Sequence, residues 1–186
     1  MKYTSLLFVV ILAGCAGQVT EPSYYLLRSS EATQSGKLAT SKEFSLGTVE
    51  IAAYLDQPGL VMETTQGQMR PANQNLWAEP IYDGVRNYLA TEIAGAYGQE
   101  LLPVALAQHT TEVDIRIDQL HGTNDGRAQL VAYWSLVRNN EVLSLNRFAD
   151  TRALQASGYA ALVDAEKALL ADLAKQIAAS LAAATP

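Results

Sequence analysis

The 186-residue chain is 49% hydrophobic and only 17% charged. That balance is too apolar for a disordered polymer, and the length suits one domain or at most a small pair, burying roughly 70% of the surface its unfolded form exposes. With 13 Lys and Arg against 19 Asp and Glu the net charge is −6, which argues against a nucleic-acid partner, whose phosphates would repel the protein overall. A single cysteine, Cys15, rules out an internal disulfide and a cysteine-built metal cage.

The chain opens with Lys2 and a run of seven apolar residues at 6–12 (LLFVVIL), followed by Ala13-Gly14. This is the pattern of a secretion signal, and as a helix the run rises only about 10 Å against a hydrocarbon core of roughly 30 Å, too short to span. The string Leu12-Ala13-Gly14-Cys15 resembles the bacterial lipobox, so residues 1–14 are expected to be cleaved and Cys15 to be acylated. Two or more acyl chains already give stable anchoring. Ala16 stands where Asp resembles the signal for inner-membrane retention, which favours the outer membrane. Cleavage would leave 172 residues with 12 Lys and Arg against 19 Asp and Glu, a net charge of −7.

Residues 15–23 then read as a lipidated tether. Its eight residues after Cys15 reach at most about 28 Å, which keeps the domain expected at 24–183 close to the lipid. Residues 24–27 (YYLL) form a β-type run, and 29–42, rich in Ser, Thr, Gly and Ala, read as a flexible loop. Strands are expected at 44–51 and 60–65, the latter closed by Gln66-Gly67 into a hairpin with 68–71. Pro80 suits the first position of a helix, and Ile81, Val85, Tyr88, Leu89, Ile93 and Ala96 recur at helical spacing up to Gly98. A short strand at 101–104 follows. Val113, Ile115 and Ile117 alternate with Asp114, Arg116 and Asp118, a strand with one wet face. Asn124-Asp125-Gly126 turns the chain into 129–138, apolar on both faces and therefore central, and Asn139-Asn140 turns it again into 142–148. A final helix at 159–183 carries Leu162, Leu169, Leu170, Leu173, Ile177 and Leu181 on one stripe. Strands, helix, strands, helix give an α+β fold: one domain with a mainly antiparallel sheet and two amphipathic helices packed on one face.

Catalytic candidates are few. His109 lies among Gln108, Thr110 and Thr111, and His121 precedes a turn; both read as solvated loop histidines. No nucleophile elbow, Walker loop, zinc-binding His-Glu-x-x-His or dinucleotide fingerprint occurs. Asn124-Asp125-Gly126 has too few carboxylates for a calcium loop, and Asp114 and Asp118 fall where a wet strand face normally carries charge. Neither an enzyme, a cofactor nor a metal site is expected. Tyr54, Trp77 and Tyr82 fall at loop-to-helix transitions where aromatics can leave the core, although Trp77 can equally staple the start of the helix.

Four motifs in order resemble the ABC-type transport auxiliary lipoproteins, the PqiC/YmbA-like paraquat-inducible protein C group. They are Tyr24-Tyr25-Leu26-Leu27; Val49-Glu50-Ile51 running into Tyr54-Leu55-Asp56-Gln57-Pro58-Gly59-Leu60-Val61; Asn75-Leu76-Trp77-Ala78-Glu79-Pro80; and Tyr159-Ala160-Ala161-Leu162-Val163. The family usually has Arg where this chain has Gln57 and Leu76, so a charge contact through those arginines is not carried over. The resemblance implies an outer-membrane lipoprotein on the periplasmic face that docks an MCE-domain partner of an intermembrane lipid transport system. It also implies partner-binding candidates at Tyr54, Leu55, Asp56, Trp77 and Glu79, and self-association in rings. A general envelope-assembly or chaperone lipoprotein shares the anchor and the lack of chemistry. A lipoprotein hydrolase would need a nucleophile and base that the residues do not supply.

Overall fold

In a computed structural model, residues 21–29, 39–107 and 110–185 are described. Along them run β1 (Ser23–Tyr25), β2 (Ala39–Ile51), β3 (Gly59–Glu63), β4 (Met69–Trp77), α1 (Ile81–Tyr97), β5 (Gln99–Pro103), β6 (Thr111–Gly122), β7 (Arg127–Arg138), β8 (Glu141–Ala153) and α2 (Tyr159–Ala184). The expected signal, Cys15, residues 16–20 of the tether and His109 lie outside the described residues.

The local turns organise the meander. Asn139 and Asn140 take φ of 51° and 63°, the left-handed pair that a two-residue hairpin requires, and they set β7 against β8 in register from Arg138↔Glu141 to Arg127↔Ala153. Gly126, at φ 78°, closes the turn from β6 into β7. β7 is central as its two apolar faces require, with Leu130, Ala132, Trp134 and Leu136 buried on the side that meets α2.

β6 is the hub of the sheet. One edge pairs with β7; the other is shared, with β2 lying parallel along it up to Ile51↔Ile117 and β3 meeting it at Met62↔Gly122. β2 then carries β5, and β3 carries β4, which carries β1, so the sheet forks into two branches. The longest ladders, β6 with β7 and β7 with β8, are antiparallel. Four shorter pairings, β1 with β4, β2 with β5, β2 with β6 and β3 with β6, are parallel and were not foreseen. Residues 39–42, expected in a loop, belong to β2: β5 gives Ala39 and Thr40 ladder partners in Gln99 and Glu100, and the strand runs on into its pairing with β6 from Phe44.

Both helices cover one face. Leu162, Leu169, Leu170, Leu173, Ile177 and Leu181 are all buried, each contributing about 1.5–3 kcal/mol by leaving water. They meet Val85, Leu89 and Ile93 of α1 within one core. Tyr88 Oη donates to Lys167 O at 3.0 Å and Trp134 Nε1 to Ser180 Oγ at 3.1 Å, joining helix to helix and sheet to helix. Pro80, with ψ 129°, caps α1 rather than occupying its first turn; Gly98, at φ 81°, ends it. No described helix is long and apolar enough to cross a membrane.

Candidate functional site

The fork in the sheet creates a local problem. Between Ile117, the last partner of β2, and Gly122, the partner of β3, the edge of β6 has no strand beside it, and a buried backbone N–H left unpaired is costly. The chain fills this gap itself. After β2, Ala52 N–H donates to Ile117 O at 2.9 Å, and a single 3-10 turn, Ala53–Leu55, sets Tyr54 Oη 3.3 Å from Leu120 N, whose proton it accepts. Gln57 Nε2 donates to Tyr54 O at 2.6 Å and holds the turn closed. Tyr54 is thus a plug at the fork, partly buried. Burial pushes its hydroxyl up to about 12, opposed by the Leu120 N–H and reinforced by the carboxylates of Asp118 and Glu166.

His121, expected to be a solvated loop residue, lies in β6 and is 2% exposed. The strand runs four residues beyond the Val113–Asp118 alternation, with a register shift between Ile117 and Gln119, and this carries the imidazole under the Tyr54 ring, centroids 6.2 Å apart at 65°. Its Nδ1 lies 3.2 Å from Gly122 O and its Nε2 has no partner. On the helix side, Glu166 of α2 is also buried, with Oε2 unpartnered, and burial pushes its carboxyl up to about 8. The signal for Glu166 was present: it falls four residues after Leu162 and three before Leu169, inside the apolar stripe.

The partner-binding candidates separate by exposure. Leu55 and Trp77 are buried members of the core, 4% and 9% exposed, so of the two readings of Trp77 the one that keeps it in the core, at the end of β4 just before α1, describes it. Asp56 is exposed. Glu79 is partly exposed and pairs with Arg28 through both guanidinium nitrogens, Nη2 to Oε2 at 2.8 Å and Nη1 to Oε1. That pairing lowers the Glu79 carboxyl and raises the Arg28 guanidinium.

Three of the four sequence motifs converge here. Trp77 N–H donates to Pro58 O at 2.7 Å, Ala78 N–H donates to Tyr25 O at 2.8 Å, and Leu76 is flanked by Gly59 and Tyr24. The fourth motif opens α2. On the face away from the helices, Asp114 accepts Thr48 N–H at 2.7 Å, while Arg116 pairs with Asp118 at 3.4 Å and lies 4.9 Å over the Tyr133 ring. Among the described residues no three potential ligands converge on a metal position. Backbone bonds and an ion pair tie β1, β4 and the start of α1 into one corner.

A single α+β domain with this forked sheet and this motif corner is the architecture of a transport auxiliary lipoprotein: residues 24–178 match the family described as the ABC-type transport auxiliary lipoprotein component, and the chain belongs to that family. Among curated proteins it is similar to the intermembrane transport lipoprotein PqiC of Escherichia coli (strain K12), 26% identical over 136 residues covering 71% of this chain and 72% of that one. The PqiC of Shigella flexneri matches to the same extent. Among solved structures, an uncharacterized protein superposes with a TM-score of 0.75 at 23% identity, covering 87% of this chain and 99% of that one. A protein from Xanthomonas campestris follows at 0.63 and 15%, covering 81% and 97%. These two share the fold. The PqiC-like resemblance and the α+β class expected from the sequence are therefore both borne out.

Proposed function

We propose that this transport auxiliary lipoprotein is anchored through acylated Cys15 to the periplasmic face of the outer membrane, where it docks an MCE-domain partner of an intermembrane lipid transport system. The observation that carries the proposal is a conjunction in one chain: membership of the auxiliary lipoprotein family over residues 24–178 and a sole cysteine standing where a lipobox requires it. The relatives named intermembrane transport lipoprotein support the transport role. The corner built from the family motifs supplies the docking surface, with Asp56 and the partly exposed Tyr54 and Glu79 offered to the partner while Leu55 and Trp77 shape it from beneath.

Two measurements test this. Cys15→Ser should abolish fatty-acid labelling and release the protein from membranes; persistent labelling would refute the anchor. Mild crosslinking and purification of the tagged protein should recover a large MCE-domain protein, and recovery of an outer-membrane assembly factor instead would favour the envelope-assembly alternative.

A further inference from the structure

We infer that the outward side of β1 and the residues just after it, carrying Tyr24 of the strand and Leu26 beyond its end, lies against the lipid surface to which the chain is tethered; the inference rests on the acylation of Cys15 proposed above. Among the described residues β1 pairs only with β4 and is an edge of the sheet. Side chains alternate there with the strand period: Tyr25 packs on the core and Leu27 is buried, whereas Tyr24 is 64% and Leu26 42% exposed. A tyrosine and a leucine left in water side by side on an edge are suited to a membrane interface, where an aromatic ring with a hydroxyl sits at headgroup level.

The occupant is indicated by where the chain leads. Tyr24 is nine residues from Cys15 in sequence, so even a fully extended connection holds it within about 32 Å of the acylated sulfur. A shorter path brings this edge closer still to the headgroups. The competing apolar surface is Val142, Leu143 and Leu145, exposed on β8 at 60%, 49% and 74%. It lies on the edge β7 leaves free, with β7, β6, β3 and β4 between β8 and β1, on the order of 24 Å across at strand spacing. Contact through β1 therefore leaves β8 facing away from the membrane.

The test uses the lipidated protein in vesicles of phosphatidylethanolamine and phosphatidylglycerol. Acylation consumes the natural cysteine, so Tyr24→Cys and, separately, Leu145→Cys each carry a single bimane probe. Membrane attachment is read first by flotation. The inference expects the probe at 24 to be quenched several-fold more by doxyl-labelled lipid, and several-fold less by aqueous iodide, than the probe at 145. Equal accessibility of the two probes on attached protein would overturn it. So would shielding at position 24 from iodide without quenching by lipid, which would mark a second copy or a partner on this edge. Failure to float would instead sink the anchor itself, and with it the inference. Circular dichroism of both variants confirms that the fold is retained.

Discussion

The hydroxyl of Tyr54 accepts the N–H of Leu120 at 3.3 Å where the edge of β6 passes from β2 to β3. A side chain thereby replaces a strand partner, and a motif tyrosine has a structural task before any partner is considered. Tyr54→Phe keeps the ring and removes only the acceptor, leaving the Leu120 N–H unpaired at a cost of about 1–3 kcal/mol. A lower urea midpoint and faster hydrogen exchange at the Leu120 amide are expected; an unchanged midpoint with unchanged protection would show that the plug contributes nothing.

Glu166 gives the protein a defined response to pH. Its carboxyl ionises near 4.5 in an unfolded chain and at about 8 in the folded one, because burial disfavours the charge. The folded state keeps a proton that the unfolded state releases. The contribution of this group to stability is therefore whole below pH 4.5, declines through the window from 4.5 to about 8, by at most ~1.4 kcal/mol per pH unit, and is level above it. Denaturation of Glu166→Gln across that window should be flatter than wild type, with the gap widening toward pH 8. Parallel curves would place the pH dependence elsewhere.

Two glycines test the sheet's close approaches. A Cβ on Gly59 would fall on the carbonyl oxygen of Ala72 and 3.0 Å from its nitrogen, both backbone. A Cβ on Gly122 would meet the thioether of Met62, with Cε at 2.9 Å, and Leu162 Cδ1 at 3.2 Å. Backbone across a ladder cannot swing aside and a methionine tip can, so Gly59→Ala should cost about 1–3 kcal/mol and Gly122→Ala clearly less. Melting temperatures measured side by side decide it, and the reverse order would contradict the argument.

What was legible in the chain follows from range. The stripe from Leu162 to Leu181, the Val113–Ile117 alternation and the Asn139-Asn140 turn are local patterns, and each produced the expected helix, strand or hairpin. The parallel pairings of β2 with β6 and of β1 with β4 join segments about 50 to 70 residues apart; crossover connections leave no turn signature that would fix such a register. His121 was misread for a related reason. The turn at Asn124 is local, but the burial of the residue before it depends on Tyr54 arriving from a distant turn. The corner of motifs was legible as sequence, while its division into buried supports and exposed contacts required the core.

That division yields the sharpest test of docking. Asp56 is exposed and holds no described core contact, so Asp56→Lys should leave the melting temperature unchanged while sharply reducing recovery of the crosslinked partner. Leu55→Ala and Trp77→Ala should also reduce recovery, but by removing buried side chains at a cost of about 2–5 kcal/mol each, visible as earlier unfolding. The two classes separate when recovery is plotted against stability: the core variants should move along both axes, and Asp56→Lys along one. If Asp56→Lys recovers the partner at the wild-type level, the contact lies outside the motif corner, and the docking surface must be sought elsewhere on the domain.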